Sequence, residues 1–170
     1  MASTVRGRWS RADPEAIEAL YRSQHREFLR TATAIAGSRE GGEDAVQEGL
    51  ARALAARRSF GARGSLEAWL WKVIVNAARN VRRASRPPPD AAIADASVPE
   101  SSHDPRTERI RAALEALPER QRLVVFLRYY ADLDYATIAH ALDIRRGTVS
   151  ATLSQAQTAL RRTLEEGSPR

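Results

Sequence analysis

Apolar positions along this chain recur at helical rather than alternating spacing from about residue 15 to residue 165, with one long interruption. In the first stretch Ile17, Leu20, Tyr21, Phe28 and Ile35 fall on one helical face. Asp13-Pro14 supplies an N-cap followed by the favoured first-turn proline, and Gly37 ends the helix. A second helix is predicted after Gly41-Gly42, with Glu43 and Asp44 in a first turn where the macrodipole favours negative charge. Val46, Leu50 and Leu54 form its buried side. The strongest period comes third: Leu66, Trp69, Leu70, Val73, Ile74, Ala77 and Val81 make a full helical stripe, which reads as core.

The interruption is RPPPDAAIADASVPESSHDP, where three consecutive prolines lead into small and acidic residues without a sustained apolar period. Such composition predicts a linker over residues 87–105. It separates helical units at 15–86 and 106–165, and neither holds the alternating β-branched runs of strands. The expected fold is all-α: two small helical domains joined by a flexible linker.

In the second unit two short amphipathic patterns meet at a basic break. Asp134 is a plausible N-cap, Ile138, Ala139 and Leu142 share one face, and Ile144 plugs the turn. Val149, Leu153, Ala156 and Leu160 then repeat at steps of four, three and four. This layout predicts a helix-turn-helix, against the plainer alternative of an ordinary helical hairpin. Arg145 and Arg146 stand at the entry of its second helix, where side chains and unpaired backbone N–H groups can hold phosphates. Thr148, Ser150, Thr152, Ser154 and Gln155 follow as candidate DNA-facing residues.

Charge sharpens the picture of the first unit. The net charge is +6, yet residues 57–86 hold eight basic residues against the single acid Glu67. An ordinary exposed helix mixes both signs, so this excess favours a nucleic-acid partner over a merely solvated face. Opposite the third apolar stripe lie Lys72, Asn76, Arg79, Asn80 and Arg83, and before it a loop runs from Phe60 through Arg63 to Ser65. Basic groups neutralise phosphates, amides can read base edges, and an aromatic beside a flexible loop offers a stacking surface for an unpaired base. On the second helix Asp44, Gln47 and Glu48 form a small acidic, amide-bearing patch, which by itself reads as solvation.

The composition excludes much else. With no cysteine, disulfides, thiolate metal sites and a cysteine nucleophile are ruled out. His25, His103 and His140 lack a metal-like spacing, so neither a metal nor another cofactor is expected. No triad, acid/base pair or phosphate-cradling glycine loop is apparent, and an enzyme is not expected. The N-terminus lacks an apolar signal core and no run reaches the roughly 18 apolar residues of a membrane span, so a cytoplasmic location is expected.

Read together, EDAVQEGLARA at 43–53, Phe60 with WLWKVIVNAARN at 69–80, ALEALPERQRLVVFLRYYADLDYATIAHAL at 113–142 and GTV at 147–149 resemble bacterial RNA polymerase sigma factors of the extracytoplasmic-function type. The resemblance covers roughly residues 15–165. It implies two conserved regions: a region 2-like unit that binds core RNA polymerase and recognises and melts the minus-ten element, and a region 4-like unit for the minus-thirty-five element. It further implies that Asp44, Gln47 and Glu48 dock onto the polymerase's largest subunit. Phe60, Arg63, Ser65, Lys72, Asn76, Arg79, Asn80 and Arg83 would serve the minus-ten element. Arg145, Arg146, Thr148, Ser150, Thr152, Ser154 and Gln155 would serve the upstream one. Promoter DNA, core RNA polymerase and an anti-sigma factor are the implied partners.

One departure stands out. The family usually has several arginines after the GTV triplet, where this chain has Ser150, Thr152, Gln155 and Gln157. Losing bidentate contacts to guanine removes about 1–3 kcal/mol of discrimination per base pair, which leaves shape readout to compensate. A coil of the linker's length spans about 25 Å and brings the reach of the two units to roughly 45–50 Å, against roughly 70 Å between promoter elements two turns apart. The units must therefore be drawn apart on a promoter. Two other readings compete: a dimeric helix-turn-helix regulator, which explains only the C-terminal half, and a polymerase-binding protein that recognises promoters poorly.

Overall fold

The computed structural model describes residues 12–60, 64–85 and 104–166, and those residues form seven α-helices and one short 3-10 turn, with no strand. Helix α1 (Pro14–Ala36) starts as its sequence dictates, with the Asp13 carboxylate accepting from the Ala16 N–H at 2.6 Å. It stops at Gly37, whose φ of 92° lets its N–H bond the Thr33 carbonyl. Helix α2 (Arg39–Ala56) is followed by the 3-10 turn Arg57–Ser59 and then by α3 (Leu66–Ala84). The second unit comprises α4 (Pro105–Ala116), α5 (Glu119–Tyr129), α6 (Tyr135–Leu142) and α7 (Arg146–Glu166). The proline-rich linker, apart from its last two residues, lies outside the described residues.

Helix α2 corrects the sequence reading. It begins at Arg39 under a Ser38 cap, so Gly41 and Gly42 lie inside the helix rather than before it. The reason is the closeness of α1. A Cβ at Gly42 would stand 2.2 Å from Thr33 Oγ1 and 2.7 Å from Thr33 Cα, and one at Gly49 would stand 2.9 Å from Ile74 Cγ1 on α3. These two glycines trade helix propensity for the approach of neighbouring backbones.

Helices α1, α2 and α3 pack on one another, as do α5, α6 and α7, with α4 against α7. The centre of the first unit is Trp71, fully buried and 4.4 Å from the Phe28 ring. Its indole N–H donates to Gln24 Oε1 at 3.1 Å, and the same amide donates to Glu67 at 2.6 Å. The buried indole is thereby satisfied, and the start of α3 is tied to α1. Trp71 was absent from the expected stripe, whose Trp69, Val73 and Val81 are only half-buried. Helix α3 is covered on more than one side: α1 and α2 enclose part of it, and α6 lies along another part. A stripe reading assumes a single buried face.

In the second unit Asp134 caps α6 through the Thr137 N–H at 2.8 Å. Asp143 then turns the chain at φ 57°, and the Ile144 N–H closes the turn on the Ala139 carbonyl at 2.9 Å. Ile138, Val149, Leu153 and Ala156 are buried between α6 and α7 and their neighbours, which is the expected helix-turn-helix. The buried residues of both units form one continuous cluster. Among the described residues no helix is long and apolar enough to cross a membrane.

Gly42→Ala is expected to destabilise the protein by about 2 kcal/mol or more, because the added methyl meets backbone atoms that cannot yield. Gly147→Ala, where nothing lies within 4 Å, is expected to be neutral or mildly stabilising. Urea unfolding of the two variants checks the contrast.

Candidate nucleic-acid interface

The outer side of α3 is one stripe. Lys72, Asn76, Arg79, Asn80 and Arg83 recur at steps of four, three, one and three, so the helix brings all five together, with Asn76, Asn80 and Arg83 exposed. At the head of the stripe Ser65 caps α3, its hydroxyl accepting from the Ala68 N–H at 3.0 Å. Phe60 is half-buried with its ring centre 5.5 Å from that of Trp69 in the first turn of α3, and the tilted pair is a partly open aromatic surface. Trp69 was read as core and belongs to this surface as well. Arg63 lies outside the described residues.

Two of the five stripe residues already have anionic partners. Arg79 Nε lies 2.7 Å from Glu119 Oε1 at the start of α5, and Lys72 Nζ lies 3.7 Å from Asp143 Oδ1 at the end of α6. The Arg79 hydrogen bond holds the Glu119 carboxyl below its ordinary pKa, with further help from the charges of Arg79, Arg83 and Arg122. Neither acid was singled out from the sequence, where both read as ordinary residues at helix ends. Arg82, unlike its neighbours, turns back to donate to the Ile35 carbonyl at 3.1 Å and is structural.

The second surface is the start of α7. Arg145, Arg146, Ser150, Ser154 and Gln155 are exposed, and Thr148 is half-buried. Thr152 departs from the expectation that it faces DNA: it is 4% exposed and looks inward. Its position explains this, because residue 152 is three after Val149 and four before Ala156 and so lies on the same buried face. Gln157 donates to the Tyr129 hydroxyl at 2.7 Å. Helix α7 therefore presents two arginines at its N-terminal entry and short polar groups behind them, a surface able to grip phosphates and make few charged base contacts.

The third patch lies on α2. Asp44, Gln47 and Glu48 are all exposed at i, i+3 and i+4, on the side turned away from buried Ala45, Val46 and Gly49. Glu48 pairs with Arg52 at 2.5 Å, an exposed i,i+4 contact worth little to stability. Among the described residues no group of three or more His, Cys, Asp or Glu side chains is placed to hold a metal.

The family described as Sigma-70 region 2 matches residues 20–87, and Sigma-70, region 4 matches residues 107–160. The chain is 31% identical over 135 residues to the ECF RNA polymerase sigma-E factor of Escherichia coli, covering 69% of this chain and 70% of that one. It is 28% identical over 155 residues to the ECF RNA polymerase sigma factor SigM of Mycobacterium tuberculosis, covering 89% and 79%. Among solved structures, CnrH in complex with the cytosolic domain of CnrY shares the fold at a TM-score of 0.70, with 20% identity and 92% of each chain covered. The sigma factor RpoE from Bartonella quintana, in complex with the anti-sigma factor NepR, does so at 0.62, with 22% identity and 91% of this chain and 97% of that one covered.

Replacing Arg145 and Arg146 by Ala is expected to flatten the slope of log affinity against log salt on duplex DNA by about one to two units. Thr152→Val, at a buried position, is expected to leave the same affinity within about twofold. Fluorescence anisotropy titrations across a salt series read both.

Proposed function

The chain belongs to the extracytoplasmic-function RNA polymerase sigma factors, and from that premise we propose how its surfaces divide the work of binding core polymerase, recognising a promoter and starting transcription. The observation that carries this reading is the occurrence of regions 2 and 4 in that order on one chain, at 20–87 and 107–160. A dimeric helix-turn-helix regulator would account for the second region alone and is not favoured. Such a factor is a transcription initiation factor, which acts by binding rather than by catalysing a reaction.

In the proposed division, 15–86 engages core polymerase and the minus-ten element, 87–105 is the connector, and 106–165 engages the upstream element. The exposed patch of Asp44, Gln47 and Glu48 meets a basic surface of the polymerase, where complementary charge speeds encounter and fixes register. Phe60, Arg63, Ser65, Asn76 and Asn80 hold a base extruded from the minus-ten element, while Lys72, Arg79 and Arg83 neutralise the adjacent phosphates. Strand opening without ATP exchanges stacking within the duplex for such contacts, each base–aromatic stack contributing on the order of 1–3 kcal/mol. Arg145 and Arg146, with Thr148, Ser150, Ser154 and Gln155 behind them, set α7 on the upstream duplex. The site of action is the cytoplasm, where the polymerase works, and an anti-sigma factor is the proposed inhibitor.

Reconstituted transcription with core polymerase tests the assignment. Asn76→Ala is expected to lower open-complex formation about tenfold while leaving polymerase binding intact, the loss of one charge-free polar contact in a desolvated pocket. Asp44→Ala with Glu48→Ala is expected to weaken polymerase binding itself. If the wild-type chain neither binds core enzyme nor initiates, the reading is wrong. If it binds but never opens a promoter, the DNA-facing assignments fail.

A further inference from the structure

The surface assigned to the minus-ten element is occupied at three points by the chain's own second unit. At the head of α3, a Cβ at Gly64 would stand 3.0 Å from His140 Cε1, so the α6 imidazole lies against Gly64. A cleft there of about 370 Å³ is walled by Gly64, Ser65 and Glu67 from one unit and by Asp132, Asp134 and His140 from the other. Further along, the Asp143 carboxylate faces Lys72 and the Glu119 carboxylate faces Arg79. Behind these contacts Arg30 of α1 donates to the Tyr130 carbonyl and sits 5.6 Å from the centre of the Tyr130 ring.

We propose that α5 and α6 act as an intrachain mimic of promoter DNA: Glu119 and Asp143 stand where phosphates would, and the contact keeps the free factor closed. The inference rests on the assignment of α3 to the minus-ten element. Its geometry is exclusive, since the units in contact here must lie about 70 Å apart to touch promoter elements two turns from each other. Apolar packing of α6 along α3 supports the closed form, and the polar pairs over it are weak. The Asp143 side chain is 86% exposed and the Glu119 side chain 46%, so both pairs are screened by salt, and exposed pairs of this kind are individually weak. Like charges act against closure as well: Arg122 of α5 faces Arg82 of α3, and burial together with that repulsion lowers its pKa. A polyanion with several phosphates competes with two carboxylates on favourable terms.

The absence of cysteine makes the test direct. Dyes on cysteines introduced at Ala55 and Thr163, exposed positions on α2 and α7, report the distance between the units in the full chain. The free wild type is expected to show high energy transfer that falls on titration with a labelled 20-nucleotide single strand. Glu119→Gln with Asp143→Asn is expected to lower transfer without DNA and to tighten single-strand binding about three- to tenfold, the effect expected of two removed surface pairs. Low transfer in the free wild type, or transfer unchanged at saturating single strand, overturns the proposal without recourse to any variant. A folded double variant with unchanged transfer and affinity does the same. Arg79→Glu combined with Glu119→Arg restores the pair with reversed sign, and recovery of high transfer relative to Glu119→Arg alone supports it. Failure of the sigma-factor assignment is separable, because it appears as absent initiation with core enzyme whatever the dyes report.

Discussion

Helix α3 is the constraint on which the rest of the molecule depends. It must bury Trp71, Ile74 and Ala78 against α1 and α2, accept α6 along another side, and still hold Asn76, Asn80 and Arg83 in solvent. A helix has only so much circumference, and these demands leave a narrow polar stripe. The core fixes the rotation of that stripe. Trp71 is held by Phe28 and by the Gln24 amide, which in turn holds Glu67 in the first turn of α3. A rotation of α3 that moved the stripe would also pull Trp71 and Glu67 from their partners, so buried chemistry positions the surface chemistry.

The same helix links the two units energetically. The ion pairs between them are partly exposed, and beside these pairs α6 packs along α3 in a core that both units share. Two units that share apolar packing as well as polar pairs form a two-state device, which DNA shifts through its differential affinity for the open state. Surface pairs that add little to stability are well suited to such a role, because their loss leaves the folds of both units intact.

Much of this was legible in the sequence. The caps at Asp13 and Asp134, the stop at Gly37, the turn around Ile144 and the inward positions Val149, Leu153 and Ala156 follow from local rules that tertiary structure does not override. What was not legible required knowledge of neighbours. Gly41-Gly42 reads as a break until α1 is known to press on it at Thr33. Trp71 falls outside a single-face stripe because α3 has more than one buried face. Thr152 is the exception, since its spacing from Val149 and Ala156 already placed it inward and only its polar chemistry suggested otherwise. Glu119 and Asp143 carry no sequence signal at all for their contacts with Arg79 and Lys72, because each pair joins residues of different units.

The central claim is that one surface of α3 exchanges the chain's own carboxylates for promoter DNA. A photo-crosslinking side chain placed at position 72 tests it most directly, comparing the free protein with an initiating complex on core polymerase. The account predicts an intrachain product with the end of α6 in the free protein, replaced by a product with a promoter strand in the complex. The same intrachain product in both states, with no DNA adduct, would contradict it.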